Sequence, residues 1–182
     1  MISNIDDFEN FYNAVFPRID KNTLSAQKNN RIRIELGGNK TGKNRVKQCL
    51  FRCKKILKYC FEDHEIWLRM ILWSDRERDN LKDANFQFNK AELTFERKLN
   101  EGNLLIIYKR QYSEFFCYPI VTSIINYEIN REPFANITCY FINFSIPLII
   151  NIYDDRGMDI VSNNTKILKG IKEKFKDWII YP

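Results

Sequence analysis

Residues 136–162 read NITCYFINFSIPLIINIYDDRGMDIVS. NITCYFINF and PLIINIYD are apolar runs of strand length, and Asp155-Arg156-Gly157 makes a tight turn into a third run, MDIVS. An Asp-x-Gly sequence suits a hairpin, because these residues tolerate the backbone angles that reverse a chain. Strands clustered in this way pair with one another, so this stretch decides the fold class.

Upstream, helices lie between strands. Ile5, Phe8, Phe11, Tyr12, Val15 and Phe16 keep helical spacing behind a Ser3/Asp6 capping pair, and Pro17 stops the run. Residues 18–30 are polar and read as loop. RIRIEL (31–36) alternates strictly, with Ile32, Ile34 and Leu36 on one face and Arg31, Arg33 and Glu35 on the other. GGNKTG turns the chain into a long helix over 43–61, and EIWLRMILW (65–73) follows as a strand. Residues 75–90 are charged and fit a short helix or a loop. AELTFERKL (91–99) and NLLIIYKRQ (103–111) read as paired strands about Asn100-Glu101-Gly102. Pro119 opens a helix to about Asn130, with Val121, Ile124, Ile125 and Ile129 inward. The last helix begins at Asn163 or Asn164, a good cap, with Ile167, Leu168, Ile171, Phe175, Trp178 and Ile179 as its apolar stripe.

The expectation is one α+β domain over 1–182: a mixed, mostly antiparallel sheet packed with about four helices. Its parts are an N-terminal helix within 1–17, a loop at 18–30 and a core at 31–182. A chain of 182 residues buries roughly 70% of its unfolded surface and needs no metal or disulfide staple. With 14 Phe, 9 Tyr and 3 Trp, the core is expected to be rich in aromatics.

Acids occupy the opening MISNIDDFENFY where a secretory signal needs a basic and then an apolar region. No apolar run reaches the roughly 18–20 residues of a membrane span. Both features predict a cytoplasmic protein with no membrane partner.

Catalytic sets are sparse. His64 is the single histidine, so zinc chemistry and His-assisted nucleophiles lack their usual parts. Cys49, Cys53 and Cys60 fall on an apolar helical stripe and read as small core residues. Gly37-Gly38-Asn39-Lys40-Thr41-Gly42-Lys43-Asn44 nearly spells a phosphate-binding loop. However, Asn44 stands where a hydroxyl should reach magnesium, and the preceding strand is half polar rather than buried on both faces. Asp154, Asp155 and Asp159 could in principle hold a metal or act as acid and base, but they flank a turn. The reading is therefore not an enzyme, with no cofactor, no metal and no catalytic residue.

Charge is the most informative feature. Arg18 through Cys60 carries 13 Lys and Arg against 2 acids, a local +11 within a whole chain of +6, which leaves −5 for the rest. On the 43–61 helix, Val46, Cys49, Leu50, Cys53, Ile56, Leu57 and Cys60 occupy an arc of about 120°. Lys43, Lys47, Lys54, Lys55 and Lys58 occupy a different arc, and Arg45 and Arg52 lie together beyond it. Such a ridge is either an ordinary solvated face or a landing site for an acidic partner or nucleic acid. No RNA-recognition, helix-turn-helix or finger signature accompanies it, which disfavours nucleic acid.

RIRIELGG (31–38), DHEIWLRM (63–70), YDDRGMDIVSNN (153–164) and ILKGIKEKFKDWI (167–179) resemble a family of small bacterial domains of unknown function. That family has an early R-F-E-L-G-like strand, a late Y-D-D-R-G hairpin and a helix ending W-I, and the likeness covers 31–181. After Trp178 the family commonly continues into a charged tail, where this chain departs from it. The resemblance implies a protein of the kind found beside bacterial toxin genes, where small cytosolic partners neutralise toxin domains.

The expected function is an immunity protein that binds a cognate toxin domain in interbacterial competition. Candidate partner-binding residues are Lys43, Lys47, Lys54, Lys55, Lys58, Asp154, Asp155 and Arg156. The alternatives are a nucleic-acid-binding protein using the 43–58 ridge, and an enzyme using the Asp154/Asp155 pair or the degenerate loop.

Overall fold

The computed structural model describes residues 2–20, 24–27, 29–88 and 93–180. Among these, five α-helices and seven strands follow in the order α1 (Ile5–Val15), β1 (Arg31–Glu35), α2 (Gly42–Phe61), β2 (Glu65–Leu72), α3 (Glu77–Asp83), β3 (Leu93–Lys98), β4 (Leu104–Gln111), α4 (Glu114–Glu128), β5 (Ile137–Asn143), β6 (Leu148–Ile152), β7 (Gly157–Val161) and α5 (Thr165–Lys174). The strands form one sheet in the order β1-β7-β6-β5-β2-β4-β3. The class is α+β as expected, and every described pairing is antiparallel, so the parallel element of a mixed sheet is absent among the described residues. The fifth helix, α3, lies in the charged 75–90 segment. Residues 91 and 92 of the expected 91–99 strand, and 21–23 and 28 of the expected 18–30 loop, lie outside the described residues. Within that loop, Leu24–Ala26 forms a 3-10 turn with Leu24 buried.

Three helix ends differ from the sequence reading. Asn4, not Ser3, caps α1: its side-chain oxygen accepts from the Asp7 N–H at 2.8 Å, and the Asp7 carboxylate accepts from the Ser3 N–H at 3.0 Å. The cap is therefore one residue later than expected, and the Asp7 carboxylate reaches past it to Ser3. Helix α4 begins at Glu114, and Pro119 sits inside it. A proline there forfeits one backbone hydrogen bond, but the earlier start buries Phe116 and Cys117. Val121, Ile124 and Ile125 are buried as expected, whereas Ile129 is exposed at the helix end. Helix α5 is capped by Asn164 and stops at Lys174. Its apolar stripe continues through a 3-10 turn, Lys176–Trp178. Ile179 then bridges to Ile34, and the Ile180 N–H donates to the Arg33 carbonyl at 2.9 Å. The chain end thus covers part of the β1 edge, which would otherwise offer unpaired backbone groups.

Strand alternation sorts the side chains into two cores. Ile32, Ile34, Ile66, Leu68, Met70, Ile150, Ile152 and Ile160 face α2, α4 and α5. Trp67, Ile71, Leu105, Ile107, Ile142, Ile149 and Val161 face the other way, toward Ile5, Phe8 and Tyr12 of α1. The Phe8 and Trp67 ring centroids stand 5.4 Å apart. Phe8 is fully buried. Truncating it to alanine is expected to cost about 3–5 kcal/mol, read as a lowered urea midpoint. A loss below about 1 kcal/mol would mean that α1 is not holding this face.

Candidate functional site

Helix α2 separates its charges by task. Lys43, Lys47, Lys54, Lys55 and Lys58 are all exposed. Lys54 Nζ lies 2.6 Å from Glu114, and Lys58 Nζ lies 3.0 Å from Glu62. Lys55 Nζ sits 5.6 Å from the Phe51 ring centroid. Lys43 and Lys47 make no ion pair among the described residues. Phe51 and Tyr59 are half exposed beside these lysines. Each leans edge-on against the C-terminal segment, Phe51 on Trp178 at 6.2 Å and Tyr59 on Phe175 at 5.4 Å. The outer side of α2 is thus a basic surface with aromatic anchors held in place from below.

Arg45, Gln48 and Arg52 point elsewhere, toward the end of β1. Gln48 Nε2 donates to the carbonyls of Leu36 at 3.3 Å and Gly37 at 2.7 Å. Arg52 donates to the Glu35 carbonyl. Arg45 Nη1 donates to the Gly38 carbonyl at 2.9 Å, Nη2 reaches the Asp155 carbonyl at 3.4 Å, and Nε pairs with the Asp155 carboxylate. A Cβ at Gly37 would displace the Arg45 guanidinium, which lies against it. The glycine loop is therefore bound through its carbonyls by arginine and glutamine, whereas a phosphate loop presents N–H groups to an anion. β1 is also an antiparallel edge strand, not the central parallel strand of a nucleotide fold.

The acidic hairpin is structural at two of its positions. Asp154 is buried; its Oδ1 accepts from the N–H groups of Arg156 at 2.6 Å and Gly157 at 3.3 Å, and its Oδ2 from Arg156 Nε at 2.6 Å. Asp155 is buried against Arg45, and the Cys49 thiol donates to its carbonyl at 3.1 Å. Both carboxylates are engaged within the chain, Asp154 in forming the turn and Asp155 in pairing with Arg45. Arg156 is exposed. Gly157 cannot carry a Cβ, since the Ile34 carbonyl oxygen would stand 2.6 Å from it.

A hollow of about 380 Å³ opens on the α1 side of the sheet, over parts of β1, β7, β6 and β5, with Leu24 and Ser25 at its edge. Arg33, Tyr140, Asn151, Tyr153, Arg156 and Asp159 line it. Asp159 is 2% exposed, and burial raises its carboxyl above the ordinary value, opposed by the neighbouring Arg31 and Arg33. The sequence reading singled out Asp159 only as part of the turn and missed Asn151, Tyr140 and Tyr153. A signal was present: Arg33, Asn151 and Asp159 are polar positions on strands whose alternate residues are aliphatic.

All five cysteines are buried as free thiols. Burial pushes Cys49 up to about 11 and Cys60 and Cys117 to about 12, so the reactive thiolate is scarce at neutral pH. Among the described residues, no group of three or more His, Cys, Asp or Glu comes together in a metal-binding arrangement. No helix among them is long and apolar enough to cross a membrane.

Arg45→Ala is expected to destabilise the chain by on the order of 1–3 kcal/mol in urea unfolding, since it strands a buried carboxylate and a loop carbonyl. Asp159 supplies a pH test. Its raised carboxyl keeps a proton in the folded chain that the unfolded chain has released, between the ordinary value of 3.8 and the raised folded value. Its contribution to stability is present below 3.8 and is lost as pH rises through that window. The stability of the native chain minus that of Asp159→Asn should therefore fall with rising pH across the window and then level off. A flat difference would show that Asp159 titrates as it does in the unfolded chain.

Among curated proteins and among solved structures, none matches the chain. One family profile does, Domain of unknown function (DUF3885), over residues 8–181. The matched span takes in both cores, the α2 surface, the Arg45 clamp and the polar hollow, and the chain belongs to the DUF3885 family.

Proposed function

We propose that this chain is a non-enzymatic immunity protein that binds a cognate bacterial toxin domain and blocks it by protein–protein contact. The observation that carries this reading is the α2 surface, where exposed Lys43, Lys47 and Lys55 flank the half-exposed rings of Phe51 and Tyr59. Aromatic anchors supply most of the energy of protein interfaces. A field of one sign steers a complementary, here acidic, partner and speeds its arrival. The rings are backed by Phe175 and Trp178, so little side-chain freedom is lost on docking. Arg156 is a further exposed cation at the hairpin. Lys54 and Lys58 are already paired with Glu114 and Glu62, which weakens the field a nucleic-acid backbone would meet and favours a protein partner. Buried, protonated cysteines and two engaged aspartates favour binding over catalysis.

The test is co-expression with a toxin-like product encoded beside this gene, read as co-purification and as rescue of growth. Joint Lys43→Glu, Lys47→Glu and Lys55→Glu changes should slow association by about tenfold or more at low salt without altering the melting curve. Phe51→Ala with Tyr59→Ala should act mainly on dissociation, at about 1–2 kcal/mol each. No partner and no rescue would overturn the reading. Micromolar binding to DNA or RNA that falls steeply with salt would replace it with the nucleic-acid alternative.

A further inference from the structure

Arg33 and Asp159 stand directly opposite each other on β1 and β7. Opposed side chains on antiparallel strands are about 5 Å apart at Cβ, close enough for these two to pair. Among the described residues no ion pair joins them. Arg33 turns away, donating from Nε to the Tyr153 hydroxyl at 2.8 Å, with its guanidinium 5.3 Å from the Tyr153 ring centroid. Asp159 leans toward Arg31, whose Nη1 is 3.5 Å from Oδ2 and is also engaged by the Ser25 carbonyl. The other carboxylate oxygen, Oδ1, is buried and has no hydrogen-bond partner among the described residues. An unsatisfied oxygen of this kind is costly to keep. The hollow of about 380 Å³ lies where these two groups fail to meet.

Its other groups suit a ligand with two poles. Asn151 gives its amide nitrogen to the Cys139 carbonyl at 3.1 Å, so its own carbonyl oxygen is left as a second acceptor beside Asp159. Arg156 uses Nε and Nη2 on Asp154 and lines the hollow together with Arg33. Tyr140 and Tyr153 supply aromatic walls. A simple anion would be repelled by the buried Asp159 carboxylate. A simple cation would meet Arg31 and Arg33. A molecule carrying both charges satisfies both poles, and the volume falls in the range of small-ligand sites, about 300–1,000 Å³.

We propose that this hollow binds a small zwitterion of the α-amino-acid class, with its ammonium at the Asn151 carbonyl oxygen, drawn by the buried Asp159 carboxylate beside it, and its carboxylate on the terminal nitrogens of Arg33. The site stands apart from the α2 surface and does not depend on the function proposed for it. Calorimetric titration of the full chain with the standard amino acids tests it, followed by the N-acetyl and amide forms of the best binder. At least one free amino acid should bind, and blocking either pole should weaken it by about tenfold, the worth of one charged hydrogen bond. In Asp159→Asn the preference for the free ammonium over the N-acetyl form should vanish. In Arg33→Gln the preference for the free carboxylate over the amide should vanish. Those ratios report the site rather than the fold, because a misfolded variant would lose all ligands together. No heat from any amino acid at millimolar concentration overturns the proposal. Equal binding of the N-acetyl form by the native chain, or of acetate or inorganic phosphate alone, overturns it as well.

Discussion

Two faces of one sheet must be covered, and the chain has unequal amounts of helix to do it. One face receives α2, α4 and α5, and its strand residues are apolar but for the Tyr108 hydroxyl. The other receives α1, which has 11 residues and is therefore about 16 Å long. Seven strands span roughly 29 Å, at about 4.8 Å between neighbours. Helix α1 and the turn after it seal the Trp67, Ile107 and Ile142 region. Over β1, β7 and one end of β6 the cover is the Leu24–Ala26 turn rather than a helix, and there the sheet carries Arg31, Arg33, Asn151 and a buried Asp159. The hollow opens beside that turn, between Leu24, Ser25 and the strands.

Beneath the opposite face, one arginine joins three parts of the chain. Arg45 extends from α2 to the glycine loop after β1 and to the hairpin before β7. β1 and β7 are themselves paired, so this contact fixes the helix against the end of the strand pair that it packs over. Gln48, Cys49 and Arg52 repeat the contact along the same side of the helix. The basic segment is thus two sets of cations. Arginines, whose planar forks satisfy several acceptors at once, are turned inward to carbonyls. Lysines, better hydrated and with a single charged end, stay in water.

That division bears on function. A solvated lysine surface with aromatic anchors suits a macromolecular partner, and the hollow on the far side of the sheet suits a small molecule. The hollow retains a carboxylate that burial disfavours, and natural chains commonly accept such a loss of stability where a site must be ready for a ligand. The buried polar groups on this face, including Arg69 with Glu9 beneath α1, show that its interior is less purely apolar than the other.

Local patterns were legible without the structure. A period of two separates Ile32 and Ile34 from Arg31 and Arg33, and a period near 3.6 separates the α2 lysines from Cys49, Cys53 and Ile56, because both are properties of neighbouring residues along the chain. The Asp154–Gly157 turn was legible for the same reason, as was an asparagine cap at 163 or 164, which the structure assigns to Asn164. The start of α4 was not, since a proline is tolerated inside a helix when the extra turn buries Phe116 and Cys117. Nor could spacing tell that Arg45 is a clamp while Lys43 is solvated, or that Asp155 is already paired. Least legible was the meeting of Arg33 with Asp159. Which strand lies beside which, and in what register, depends on how two cores are filled at once, and no local window of sequence contains that information.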